Sequence, residues 1–197
     1  NLPALCLAQA AALHNITSHG PVALVPNADL GQVHPLPCPE EHGSIHPAKT
    51  KPALGARIAK TTAALAYKIG SVTYQAPVAT SVTVAADANS MTVHFEARDG
   101  SATRLSLNRT AACPADVLSV FCTGGGFEVE RRINTTRTAW SHVPAAAVAL
   151  SASSSLDVVL QVQGVGGGAA GVERVRYGYA DWPVAELRGG TSGSGRG

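Results

Sequence analysis

The sequence predicts an α+β chain in which a partial α/β layer of strand, loop and helix precedes a C-terminal antiparallel β-sandwich. Three observations predict it. The hydrophobic spacing changes near residue 70, from helix-compatible to period two. Turn-forming clusters then separate the alternating runs, at Asp87-Ala-Asn89, Asp99-Gly100, Gly124-Gly-Gly126 and Gly166-Gly-Gly168. A Pro-rich stretch, 26–47, divides an apolar run of parallel-strand type from the one clearly amphipathic helix. The expected organisation is 1–70 for the α/β part, 71–187 for the sandwich and 188–197 for a flexible Gly/Ser tail.

Each element follows from local pattern. Leu2–Leu13 is rich in Ala and Leu and reads as the end of a helix, closed by His14-Asn15 and the Gly20-Pro21 turn. Pro21-Val-Ala-Leu-Val25 is short and wholly apolar, the signature of a buried parallel strand. Leu54, Ile58, Thr61 or Thr62, and Leu65 fall at helical spacing and define one face, with Lys49, Lys51, Arg57 and Lys60 on the solvated side. Pro47 suits a first helical turn, whereas Pro52 demands a late start or a kink. Beyond Ser71, alternation marks strands at Val82 and Val84, at Met91, Val93 and Phe95, and at Phe127 and Val129. It recurs at Leu156, Val158, Leu160 and Val162, and at Val175, Tyr177 and Tyr179.

Composition narrows the function classes. Of 197 residues 45% are hydrophobic and 14% charged, a globular and not a disordered balance. Fifteen Lys and Arg against thirteen Asp and Glu leave a net charge of +2, which argues against a nucleic-acid partner. No apolar run reaches the roughly 18–20 residues that a membrane-crossing helix needs, so no membrane partner is expected. The start at Asn1, without Met or a signal-type segment, reads as a processed piece or fragment.

Four cysteines, Cys6, Cys38, Cys113 and Cys122, are too few to scaffold a chain of this size. Cys113 and Cys122 are spaced to close a hairpin-sized loop. Three sequons, at Asn15, Asn108 and Asn134, are chemically eligible for N-glycosylation. Together these point to a secreted or lysosomal protein.

Titratable residues crowd the Pro-rich loop. His34, Cys38, His42 and His46 recur every four residues, which on a helix would make a zinc site. Pro35, Pro37, Pro39 and Gly43 forbid that helix, and structural zinc sites favour tighter ligand pairs in ordered elements, so no metal is assigned. His46 is the sharper candidate. It stands at a loop-to-helix junction after an apolar strand, where a general base can be held at the edge of a parallel sheet.

Asp29-Leu-Gly31, Gly43-Ser-Ile-His-Pro47 and the run Gly55-Ala-Arg-Ile-Ala59 to Ala63-Ala-Leu-Ala-Tyr67 resemble the closing block of the sialate O-acetylesterases, which are SGNH-type esterases. Gly125-Gly-Phe-Glu-Val129 and Val175-Arg-Tyr-Gly-Tyr-Ala-Asp-Trp-Pro-Val184 resemble the sandwich that follows the catalytic domain in that family. The resemblance spans roughly Leu5 to Leu187. It implies a carboxylic ester hydrolase acting on O-acetylated sialic acid or another acetylated glycan, with His46 as general base and no cofactor. Many SGNH enzymes carry an acid three residues before that histidine. Here Gly43 stands there, so the orienting acid is absent or comes from Asp29, Glu40 or Glu41. The family's early Gly-Gln-Ser-Asn block, with nucleophile and oxyanion donors, has no counterpart among these residues. The chain is therefore expected to hold half a site, to be inactive alone, and to partner an upstream catalytic segment of the same protein. The alternative reading is a non-catalytic carbohydrate-binding module, with Trp140, Tyr177, Tyr179 and Trp182 as stacking candidates. The inward strand phase of Tyr177 and Tyr179 favours packing over stacking.

Overall fold

The computed structural model describes residues 2–16, 20–25, 51–98, 102–107, 124–163, 169, 171–178 and 187–190. Among these residues are two α-helices, α1 (Leu2–Ile16) and α2 (Lys51–Leu65), and a short 3₁₀ helix at Ala145–Ala147. Nine strands follow α2: β1 (Val78–Val84), β2 (Ser90–Glu96), β3 (Arg104–Leu107), β4 (Gly124–Arg132), β5 (Thr138–Pro144), β6 (Val148–Leu150), β7 (Asp157–Gln161), β8 (Val172–Tyr177) and β9 (Leu187–Gly190). The expected change from helix to strand near residue 70 is present.

Among the described residues α2 runs from Lys51, with Pro52 near the N-terminal end of that span, where a missing N–H is tolerated. Thr61 is buried, and its hydroxyl donates to the Arg57 carbonyl at 3.0 Å. Leu54 and Leu65 are half-buried, but Ile58, expected on the same face, is exposed. Leu5, Leu7 and Ile16 of α1 are exposed as well. Among the described residues the closest packing between elements joins strands to strands and β4 to the short 3₁₀ helix Ala145–Ala147, not to α1 or α2.

Residues 21–25, expected as a parallel strand, form no regular element, and Val22 and Leu24 are exposed. An apolar run becomes a strand only when its N–H and C=O groups find a ladder, and no described strand pairs with it. No helix among the described residues is long and apolar enough to cross a membrane.

The strands form antiparallel sheets in the orders β1-β2-β7-β6 and β5-β4-β8, with a separate β3-β9 pair. The β1–β2 turn uses the expected Asp-Ala-Asn signal. The Asp87 carboxylate accepts from the Asn89 N–H at 3.0 Å and its side-chain amide at 3.2 Å, while Ala88 takes a φ of 53°. Gly124, Gly125 and Gly126, expected as a turn, lie inside β4. The ladder to β5 shifts register there and Gly126 has a φ of 76°, so the glycines serve a bulge and not a chain reversal. Arg188, Gly189 and Gly190, counted with the tail, pair in β9 with Ser106, Leu105 and Arg104.

Alternation explains the core. Met91 pairs with Leu160 and Val93 with Val158 on one face of the four-stranded sheet. Phe127 and Val129 of β4 and Val143 of β5 join the same buried cluster, with Val148, Val162 and Leu105. Each such side chain contributes about 1.5–3 kcal/mol on burial. Val82 and Val84 lie opposite Val93 and Met91 yet remain exposed, because β1 is a sheet edge that the cluster does not reach.

Candidate functional site

His46, Asp29 and Glu41 lie outside the described residues, as do Glu40, His34, Cys38, His42 and the sequon at Asn108. Asn15 lies on α1. Asn134 is exposed on the β4–β5 turn, where its Oδ1 accepts from the Thr136 N–H at 3.0 Å and the Thr136 hydroxyl at 3.1 Å. Tyr177 packs inward, its ring centroid 4.7 Å from that of Phe127. Tyr179 and Trp182 lie outside the described residues.

Two polar clusters emerge that the linear sequence did not single out, both on strand faces turned away from the core. The first crosses β1, β2 and β7. Asp157 stands opposite His94 in the ladder, and Thr83 lies on the diagonal. His94 Nδ1 is 3.2 Å from Asp157 Oδ2, and His94 Nε2 is 2.9 Å from Thr83 Oγ1. Which ring nitrogen donates depends on the tautomer: with the proton on Nδ1, facing the Asp157 carboxylate, Nε2 accepts from the Thr83 hydroxyl.

The second cluster covers the β5-β4-β8 sheet. Glu128 and Glu130 alternate with the core residues Phe127 and Val129, yet both are buried, 5% and 3% exposed. Long side chains from the neighbouring strands roof them. Arg176 grips Glu128 at 2.7 and 3.0 Å, and His142 Nδ1 approaches the same carboxylate at 3.4 Å. Arg174 pairs with Glu130, which also accepts from the Thr138 hydroxyl at 2.7 Å. The Trp140 ring lies 3.8 Å from the Arg176 guanidinium and 5.7 Å from that of Arg174. The aromatic surface nominated for sugar stacking thus already carries a cation.

The Arg174 and Thr138 hydrogen bonds hold the Glu130 carboxyl below the ordinary glutamate value. Folded Glu130 therefore binds its proton less tightly than unfolded Glu130. Its contribution to stability is complete above the ordinary carboxylate range and is lost as pH falls through the lowered folded value. Glu130→Gln is expected to lower Tm most at neutral pH, with the gap to wild type closing on acidification. Thermal melts across that range check it, and a gap independent of pH would contradict it.

Among the described residues no group of three or more His, Cys, Asp or Glu converges as metal ligands. No family model matches this sequence, and a comparison with curated proteins finds no match.

Proposed function

We propose that this chain is part of a sialate O-acetylesterase-like carboxylic ester hydrolase that removes O-acetyl groups from sialic acids or related acetylated sugars. The observation that carries the reading is the Gly43-Ser-Ile-His-Pro47 block leading into α2, followed by the Arg-Tyr-Gly-Tyr-Ala-Asp-Trp-Pro run that begins in β8. The uncovered helices support it. Leu7 on α1 is 64% exposed and Tyr67, just past α2, is 75% exposed, as expected of an α/β layer whose remaining sheet lies in another body of protein. In this reading 71–187 is the adjoining β-sandwich.

The chemistry is a Ser–His mechanism. His46 takes the proton of a serine supplied by a segment outside these residues, as that serine attacks the acetyl carbonyl. It returns the proton to the departing sugar hydroxyl, then activates water to release acetate. Asp29 or Glu41 would orient the imidazole. The test is acetate release from an O-acetylated sialic acid by the complete protein and its His46→Ala variant, and equal rates would overturn the reading. A carbohydrate-binding module draws less support, because the Trp140 ring is engaged by Arg176.

In a secreted protein Asn15, Asn108 and Asn134 would be glycan acceptors. Asn134 is expected to be occupied, since its turn is exposed and its Oδ1 already engages the sequon threonine. Digestion of the secreted protein with an N-glycosidase should shift its mass, and Asn134→Gln should remove one step of that shift. An unchanged pattern in the variant would exclude this site.

A further inference from the structure

We propose that Thr83, His94 and Asp157 form a base-activated hydroxyl that accepts an acyl group from an activated carboxylic ester, a reactive centre separate from His46 and independent of the proposed function. The three residues come from three adjacent strands, β1, β2 and β7, so backbone ladders fix their spacing. Their order is hydroxyl, imidazole, carboxylate, at 2.9 and 3.2 Å. That order is what nucleophilic activation requires: a base against the hydroxyl and a third group orienting the base. The His94 and Asp157 side chains are 31% and 18% exposed, so the base is partly shielded while the exposed Thr83 remains open to a reagent.

In the step, Thr83 Oγ1 forms a bond to the ester carbonyl carbon and passes its proton to His94 Nε2. The carbonyl–oxygen bond to the leaving phenolate then breaks, and the phenolate takes that proton. Asp157, 3.2 Å from Nδ1, steadies the transient imidazolium by its charge. The product is an ester of Thr83 and a free phenol, with no redox change. Thr83 lies on the exposed edge strand, and the step draws on no oxyanion donor, which limits the centre to esters with good leaving groups.

The experiment treats the 197-residue chain with 4-nitrophenyl acetate at neutral pH and maps acetylation by peptide mass spectrometry. The expected result is one acetyl group on Thr83, retained in Thr83→Ser and lost in Thr83→Val. His94→Gln should slow its appearance by about tenfold or more, toward the lower end of general-base effects. Asp157→Asn should slow it less. His142→Ala, an exposed histidine on the other sheet, should leave it unchanged, which separates this centre from non-specific imidazole catalysis. Circular dichroism of each variant verifies that the sheet is intact, and Thr83→Ser tests the chemistry with the hydroxyl kept. Acetyl groups confined to lysines and the N-terminus, or labelling of Thr83 at the same rate in His94→Gln, would overturn the proposal.

Discussion

Replacing His46 by Ala in the complete protein should lower kcat for acetate release by about three orders of magnitude, with KM and Tm nearly unchanged. The magnitude follows from the role. A positioned base contributes about 10²–10⁴ in rate, and a member of a nucleophile–base unit takes the rest of the unit with it when lost. Three orders correspond to about 4 kcal/mol of transition-state stabilisation. Substrate binding uses other groups, so a rise in KM at constant kcat would point to a binding residue instead. His34 is the control. It also precedes a proline, but in mid-loop, and His34→Ala should cost far less. Equal losses from the two variants would remove His46 from the mechanism.

The largest stability effect is expected at Phe127. Its side chain is 1% exposed, it stands opposite Tyr177 in the β4–β8 ladder, and it belongs to the cluster shared by both larger sheets. Phe127→Ala removes a ring that nothing nearby can replace without moving a strand. Such truncations cost about 3–5 kcal/mol, a large share of the roughly 5–15 kcal/mol that holds a typical domain folded. Denaturant unfolding should show a lower midpoint with an unchanged slope. Val82→Ala, on the exposed edge strand, should cost under about 1 kcal/mol by the same measurement. Similar losses at the two positions would mean that the buried cluster is not what holds the sheets.

What could be read from the sequence was whatever local spacing encodes. Met91, Val93, Val158, Leu160, Phe127 and Val129 announce their strands and their inward phase by alternation alone. The Asp87-Ala-Asn89 turn is equally legible, because the side chains that make it are within two residues of each other. Strands β3, β5, β6 and β9 were not singled out: Thr138–Pro144 mixes Trp, Ser and His, and Leu187–Gly190 ends in two glycines. Their pairing supplies what their propensity lacks. The carboxylate–guanidinium roof left a trace, since Glu128-Val-Glu130 and Arg174-Val-Arg176 carry opposite charge at strand spacing. Thr83, His94 and Asp157 left none. They meet only once the β1–β2 and β2–β7 registers are known, and register is a tertiary property. The site named by resemblance, His46 with Asp29 or Glu41, rests on motif order.

The strand order has a consequence for how the chain reaches its native state. After the β1–β2 hairpin the chain builds β4 and β5, returns to the first sheet for β6 and β7, and comes back to β4 with β8. Neither sheet is complete until the other has most of its strands. The hairpins β1–β2 and β4–β5 close over short loops and can form early. Pairing of β2 with β7 and of β4 with β8 closes much longer ones, which must be brought together before any ladder energy is returned. The two sheets therefore gain and lose structure as one unit. A nick between β5 and β6 would leave strands of both sheets in each piece, so neither piece would carry a whole sheet, and partial unfolding of this region should be confined to its short outer strands.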